Sequence, residues 1–380
     1  MAALALAALL QLGFIFTLPA NVAAVFLSAL VMSSLLSVLP VGVLWHLERR
    51  ERASAWFFAA AFLWGGFVAT ALAMPFNTAF FQVVDAWVTR HPLVTQLLGA
   101  DAAEMISAPI SAPITEELAK ALGVTLIFVL LRGEFDSVRD GLVYGALVGA
   151  GFNWYEAALY VAQGYAQFGA AFYAFELGGR YALLGFGGHL LFTSIFGGFL
   201  GYSLVERRLL LRISAPIVGL MLACSAHMLN NALPLLTTLA EAAAGVPPAG
   251  SGPPPDIGFL SALLGSSVRE ILIFLPFVMI AALVLWRSDV WERRVIREEL
   301  STEPGDVVSA PEYHDVVHDT ALRTRRMDRM DPRIAAALVN AQNELAFRKR
   351  WLREAGKDSA SDPVAVHLRE QIRSLHAADG

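Results

Sequence analysis

Long apolar runs dominate the chain up to about residue 286, and they constrain its fold more than any other feature. Of the 380 residues, 56% are hydrophobic and only 16% are charged, whereas a soluble domain carries about 25% charged residues. Runs of this length are typical of helices that cross about 30 Å of hydrocarbon. The sequence therefore predicts an all-α, multi-pass transmembrane helical bundle of about eight spans, at residues 2–18, 22–46, 55–80, 105–131, 139–164, 181–205, 213–240 and 258–286.

Basic residues predict the orientation of these spans. The segments after the second, fourth and sixth spans, and the C-terminal tail, contain more Arg than the segments between them. Because cytoplasmic loops carry an excess of Lys and Arg, both termini are predicted to be cytoplasmic. The resulting division is N-terminal transmembrane helices at 1–100, a transmembrane core at 101–243, a Pro/Gly-rich outer loop at 244–257, the last transmembrane helix at 258–286, and a cytoplasmic, partly helical tail at 287–380.

Ionisable residues interrupt four successive spans of the core. The fourth span holds the adjacent pair Glu116 and Glu117, and the next three hold Glu156, His189 and His227, one in each. Such residues are costly inside a membrane and usually mark a functional site. Counted at 1.5 Å per residue from the outer ends of their spans, they fall at a similar depth. We therefore expect them to meet around a single water molecule within the membrane.

Small residues indicate which helix faces carry these groups. Gly141, Gly145 and Gly149 form a ladder that allows close helix approach. Glu156 lies seven residues beyond Gly149, and so almost on the same face. His189 belongs to a similar stripe, with Thr193 four residues later. Both residues are therefore predicted to point into helix contacts.

The Glu116-Glu117 pair has a built-in counter-charge, because Lys120 follows within one helical turn. Two adjacent carboxylates at low dielectric do not both ionise easily, so one is expected to take and return a proton near neutral pH. Pro109 and Pro113 precede the pair. If the regular helix begins near Pro113, the glutamates lie at its positive end.

These residue types suit the hydrolysis of a peptide bond. A glutamate can act as general base on water, and a histidine can orient that water. A second histidine and an amide, here His227 and Asn231 on one helical face, can donate hydrogen bonds to the oxyanion. Alternatively, the histidines and a glutamate can hold zinc with one position open for water.

The ordered set of motifs resembles that of the PrsW family of intramembrane proteases, which is related to the type II CAAX prenyl endopeptidases. The resemblance covers about residues 100–240 and rests on four motifs, Glu116-Glu117-x-x-Lys120, Phe152-x-x-x-Glu156, His189-x-x-x-Thr193 and His227-x-x-x-Asn231. Two positions depart from the family pattern: Ala157 replaces a frequent asparagine, and Asn231 stands where an aspartate is common.

The resemblance implies an intramembrane endopeptidase, either a metalloprotease or a metal-independent glutamic protease. Its substrate would be a single-span membrane protein such as an anti-sigma factor, in a bacterial cytoplasmic membrane; lipid is expected around it, and no nucleic acid partner. The implied catalytic residues are Glu116, Glu117, Glu156, His189, His227 and Asn231, with Lys120 and Thr193 in support. Any divalent metal, such as zinc, would be held by His189, His227 and Glu156.

Other interpretations of the same residues stay open at this stage. A proton- or ion-coupled transporter could use the same buried carboxylates, although no paired halves are visible in the sequence. Cys224 shares a helical face with His227, but residues stacked along one helix rarely form a nucleophile and its base, so we read it as a packing residue. Arg269 and Glu270 in the last span have no role that the sequence assigns, and the oligomeric state is likewise left open.

Overall fold

The computed structural model describes residues 2–48, 50, 55–130, 135, 137–247, 252–320, 327 and 330–379, and its regular structure there is entirely helical. Fourteen α-helices occur in this part of the chain. They are α1 (Ala2–Thr17), α2 (Ala20–Leu47), α3 (Ala55–Leu63), α4 (Thr70–Thr89), α5 (Pro92–Leu98), α6 (Ala102–Leu130), α7 (Val138–Phe168), α8 (Tyr173–Arg180), α9 (Gly188–Val205), α10 (Leu209–Ala243), α11 (Phe259–Leu300), α12 (Ala310–Val317), α13 (Pro332–Glu354) and α14 (Pro363–Asp379). A π-helical turn, Trp64–Ala69, joins α3 to α4.

Four helical segments are long and apolar enough to cross a membrane. They are Ala20–Leu47, Ala55–Thr89, Leu209–Ala243 and Phe259–Leu300. The helices α6, α7 and α9 also coincide with predicted spans, and they carry the polar residues of the core. The all-helical fold is thus confirmed, with four candidate membrane spans among the described residues.

Two helix starts differ from the sequence prediction. The helix α6 does not begin near Pro113; it begins at Ala102 and continues through Pro109 and Pro113, so Glu116 and Glu117 lie well inside it. Neighbouring helices in a membrane bundle can satisfy the backbone groups that proline leaves free. The predicted span 181–205 is helical only from Gly188, because a 3₁₀ turn, Ala182–Gly185, and a short connection precede α9.

The helices α6, α7, α9 and α10 pack against one another and surround the polar residues of the core. The helices α7 and α9 approach each other closely along the glycine ladder. A methyl group at Gly149 would collide with the backbone carbonyl of His189, and one at Gly145 would press on that of Thr193. Both glycines therefore allow α9 to bring its polar side chains directly against α7.

The connection into α9 is anchored by hydrogen bonds to other helices. The hydroxyl of Tyr181 meets those of Ser33 and Ser37 on α2, at 2.5 and 2.8 Å. The backbone N–H of Leu183 donates to Ser267 Oγ on α11 at 2.8 Å. Leu183 itself has a left-handed conformation, with φ of 54°, which is strained for a residue with a side chain. These bonds hold the strained turn directly before His189.

The chain divides into two compact units. One, the membrane unit, comprises residues 1–46 and 53–281. The other, the C-terminal unit, comprises residues 47–52 and 282–380. The second unit contains the end of α11 and the helices α12 to α14, which enclose an apolar core that includes Leu300, Val307, Leu338, Leu345 and Ile372. In the predicted partly helical tail, the helices are the end of α11, α12, α13 and α14.

Candidate active site

Three ionisable side chains from one face of α6 lie at the centre of the membrane unit. Lys120 is fully buried, and Glu116 and Glu117 are almost so. The Lys120 ammonium lies 2.8 Å from Glu117 Oε1 and 3.4 Å from Glu116 Oε2. It also lies over the ring of Phe152 on α7, 3.8 Å from the ring centroid. The predicted counter-charge therefore forms, and it serves both glutamates.

Glu156 on α7 fixes the ring of His189 on α9. His189 Nε2 lies 2.7 Å from Glu156 Oε2, and because a carboxylate accepts hydrogen bonds, this nitrogen carries the proton. The lone pair of the ring is then on Nδ1, which accepts a hydrogen bond from Lys120 Nζ at 2.9 Å. His189 thus turns an unprotonated nitrogen toward the α6 cluster.

Glu117 fixes the ring of His227 on α10 in the same way. His227 Nδ1 lies 3.1 Å from Glu117 Oε1, which leaves the lone pair on Nε2. The amide of Asn231, one turn later, donates to that nitrogen at 3.2 Å. The other Glu117 oxygen accepts from the Thr193 hydroxyl at 2.9 Å. Every contact of Glu117 is therefore to a donor that it holds in place.

Glu116 is oriented by Asn77, on α4. Asn77 Oδ1 accepts hydrogen bonds from the hydroxyls of Ser111 and Thr115, both at 2.6 Å. This directs the Asn77 amide group to Glu116 Oε1 at 3.1 Å. The second oxygen, Oε2, then lies 3.9 Å from His189 Nδ1 and 3.9 Å from His227 Nε2.

Three ligand atoms at the centre of the cluster form a set of the kind that binds metal. One ligand atom each from Glu116, His189 and His227 lie within 4.8 Å of one another, and all three residues are buried. Two nitrogens and a carboxylate oxygen match the ligands that zinc takes in catalytic sites. Each imidazole also donates its other N–H to a carboxylate, which is the usual support of a metal-binding histidine. The residues present thus fit a divalent cation.

A sequence profile of PrsW family intramembrane metalloproteases matches residues 53–249. The chain belongs to the PrsW family. This identifies it as an integral membrane protein and an intramembrane protease, and it favours hydrolysis over the transporter interpretation. A search of curated proteins and a search of solved structures each returned no match.

The predicted residues of this PrsW protease lie together, but with one change of partners. Glu156 contacts His189 Nε2, whereas Glu116 lies near the other ring nitrogen, Nδ1. The cluster that fits a metal therefore contains Glu116, where the sequence interpretation had named Glu156. Cys224 takes no part in the cluster, because its thiol meets the backbone carbonyl of Pro113 at 3.3 Å.

Three further polar residues reach the site of the PrsW protease, and the sequence alone assigned a role to none of them. They are Asn77, Arg180, which contacts Glu156, and Glu270 on α11. Glu270 Oε2 accepts from the backbone N–H of Gly188, the first residue of α9, at 3.2 Å. A carboxylate at a helix N-terminus is favourable, so Glu270 supports the turn that carries His189. The only available signal was a polar residue within or beside an apolar run.

Proposed function

We propose that this PrsW protease cleaves single-span membrane proteins at the site formed by Glu116, His189 and His227. The observation that carries the proposal is the convergence of one ligand atom each from three buried residues, Glu116, His189 and His227. Each is oriented by a neighbour: Glu116 by Asn77, His189 by Glu156 and His227 by Glu117. An arrangement of this kind, held before any substrate arrives, is what a hydrolytic site requires.

We assign a divalent cation, such as zinc, to Glu116 Oε2, His189 Nδ1 and His227 Nε2. When bound, it would make water a stronger nucleophile and polarise the scissile carbonyl. In a metal-free reaction the same Glu116 oxygen would be the general base on water. The family description as metalloproteases favours the first alternative.

The surrounding residues have distinct tasks in this proposal. Glu117 and Glu156 keep the two imidazole rings oriented, and Thr193 steadies Glu117. Lys120 balances the charge of Glu116 and Glu117, and its hydrogen bond to His189 Nδ1 would give way when a cation takes that lone pair. With His227 Nε2 bound to a cation, the Asn231 amide N–H that now donates to this nitrogen would be free to donate to the oxyanion that forms when water attacks the peptide carbonyl.

We further propose eight spans with both termini in the cytoplasm of a bacterium. The four helical segments that are apolar enough to span, together with α1, α6, α7 and α9, give this number. Within the second compact unit, Arg50, which follows α2, pairs with Asp289 near the end of α11. This supports a common membrane side for these two segments. By family resemblance, anti-sigma factors are candidate substrates.

The test is cleavage by the purified protein in liposomes that contain a set of single-span membrane proteins, anti-sigma factors among them. Glu116→Gln removes the charge at nearly unchanged volume and is expected to lower cleavage at least about 10³-fold, as loss of an essential catalytic group does. Glu241→Gln, at an exposed position on α10, is the matched control and should cleave like the wild type. Equal rates for Glu116→Gln and the wild type would overturn the assignment.

A further inference from the structure

Arg180, at the end of α8, is held by three residues of one α7 face. The amide of Asn153 donates to the backbone carbonyl of Arg180 at 3.2 Å. The guanidinium lies over the ring of Tyr160, 3.7 Å from its centroid, and pairs with Glu156 Oε2 at 2.5 Å. Positions 153, 156 and 160 share a face because they are three and four residues apart. Backbone, charge and planar surface of Arg180 are thus all engaged by α7.

The oxygen that Arg180 contacts is the one that orients His189. Glu156 Oε2 accepts both from Arg180 Nη1 and from His189 Nε2, the latter at 2.7 Å. An arginine is always protonated in proteins. Its guanidinium therefore holds the Glu156 carboxylate in the position in which Oε2 accepts from His189 Nε2. The Nδ1 lone pair then faces Glu116, at 3.9 Å.

The position of Arg180 along the chain reinforces this link. Seven residues separate Arg180 from Gly188, the start of α9, and this stretch is bonded to α2 and α11 through Tyr181, Leu183 and Gly188. Arg180 is therefore fixed at one end of a restrained segment whose other end presents His189. Neither end can shift without disturbing hydrogen bonds to a third helix.

We propose that Arg180 is a positioning residue of the active site, which acts through Glu156 to keep His189 Nδ1 directed at Glu116. This rests on the proposed function. Partners that orient a metal-binding histidine typically contribute 10- to 100-fold to metal affinity or activity. Arg180 would be the outermost member of a chain of contacts from Arg180 to Glu156 to His189.

The experiment measures Co²⁺ binding, from the visible absorption of the bound ion, together with substrate cleavage, for purified full-length protein in detergent. Arg180→Ala is expected to weaken Co²⁺ binding and to slow cleavage by about 10- to 100-fold. Arg180→Lys, which keeps the charge, and guanidinium added to Arg180→Ala should each restore part of both signals. Arg90→Ala, at an exposed arginine that ends α4, is the matched control and should change neither.

A double variant tests the route through Glu156. If Arg180 acts through that carboxylate, Arg180→Ala/Glu156→Gln should be no worse than Glu156→Gln alone, within about twofold, because contacting residues are not additive. The proposal would be overturned if the losses of the two single variants multiplied in the double variant, or if Co²⁺ binding were unchanged in Arg180→Ala. The proposed function would stand in either case. A wild type that neither binds Co²⁺ nor cleaves would overturn the proposed function, and the role of Arg180 with it.

Discussion

Lys120 in the membrane unit and Lys349 in the C-terminal unit are both buried lysines that pair with carboxylates. Lys349, on α13, donates to the backbone carbonyl of Glu299 at 2.6 Å, to the Thr302 hydroxyl at 2.9 Å and to Glu303 at 2.5 Å. These partners belong to the end of α11 and the turn after it, where a cation is favourable. The Lys349 cluster therefore joins two helices.

The partners of Lys120 differ from those of Lys349 in the direction of their acceptor atoms. Glu116 and His189 each direct an acceptor atom toward a common point that His227 also faces. Within the described ranges, this is the one group of three His, Cys, Asp or Glu residues close enough to share a metal ion. Burial and ion pairing thus do not distinguish an active site from a structural cluster. What distinguishes it is a set of acceptor atoms that face one point, together with imidazole rings that neighbouring residues hold in orientation.

Removal of metal should give the largest difference between the Lys120 cluster and the Lys349 cluster. Dialysis against a strong chelator is expected to abolish cleavage by the wild type, and added Zn²⁺ should restore it, because a bound cation supplies several kcal/mol of transition-state stabilisation. Hydrogen exchange of α13, which carries Lys349, should stay the same throughout. Full activity after chelation, with metal content confirmed as absent by mass spectrometry, would favour the metal-free mechanism with Glu116 as base.

Replacing each lysine by methionine should have effects of different kinds. Lys120→Met leaves two buried glutamates without their counter-charge, a change that typically costs 3–5 kcal/mol. It is expected to lower cleavage at least about 100-fold per folded molecule. Lys349→Met should leave cleavage within about threefold of the wild type and should raise hydrogen exchange in α13 and α14.

The comparison would fail if the two lysine variants behaved alike. A large loss of cleavage in Lys349→Met, with the membrane helices still protected from exchange, would make its cluster part of the active machinery. Cleavage unchanged in Lys120→Met would make the α6 cluster structural. Circular dichroism and size-exclusion profiles of both variants show whether either substitution simply unfolds the chain.

Sequence patterns were sufficient to predict which helix faces point into helix contacts. The glycine ladder on α7 and the stripe through His189 and Thr193 each predicted a close-packed helix face, and Gly145 and Gly149 indeed touch the α9 backbone. The i, i+3 and i, i+4 spacings of Lys120 from the glutamates predicted their ion pairs, which form. Both rules depend on spacing within a helix, which the sequence gives directly.

Contacts between helices distant in sequence could not be predicted in this way. Asn77 and Arg180 reach the site from α4 and α8, and no spacing rule assigns a partner across 39 or 24 residues. The choice between Glu156 and Glu116 as the third member of the cluster is of the same kind, since it depends on how α6 and α7 rotate about their axes. A start of α6 near Pro113 was wrong, because neighbouring helices in a bundle can satisfy the backbone groups that proline leaves free. The helix therefore continues through Pro109 and Pro113.

The smallest expected effect concerns acid stability of the C-terminal unit. Burial alone would raise the pKa of the Glu303 carboxyl, but hydrogen bonds from Arg369 and Lys349 outweigh it and lower that pKa below its usual value. A hydrogen bond from Arg348 likewise lowers the pKa of Asp362 to about 2. Carboxyls with a depressed pKa in the folded state stabilise it above their unfolded pKa, about 4, and lose this contribution as pH falls toward the folded value.

Exchange protection of α13 and α14 in the full-length protein, corrected for intrinsic rates, should therefore fall as pH drops below about 4. Arg369→Gln removes one partner of Glu303, so the Glu303 pKa should move toward normal and the acid midpoint should rise by roughly 0.5 pH unit. Arg353→Gln, an exposed arginine whose nearer partner is Glu299 on α11, serves as control and should shift the midpoint less. If the acid midpoint is the same in Arg369→Gln and the wild type, other carboxyls cause the acid sensitivity. The Lys349 cluster would then have no measurable electrostatic role, and its contrast with the Lys120 cluster would be sharper.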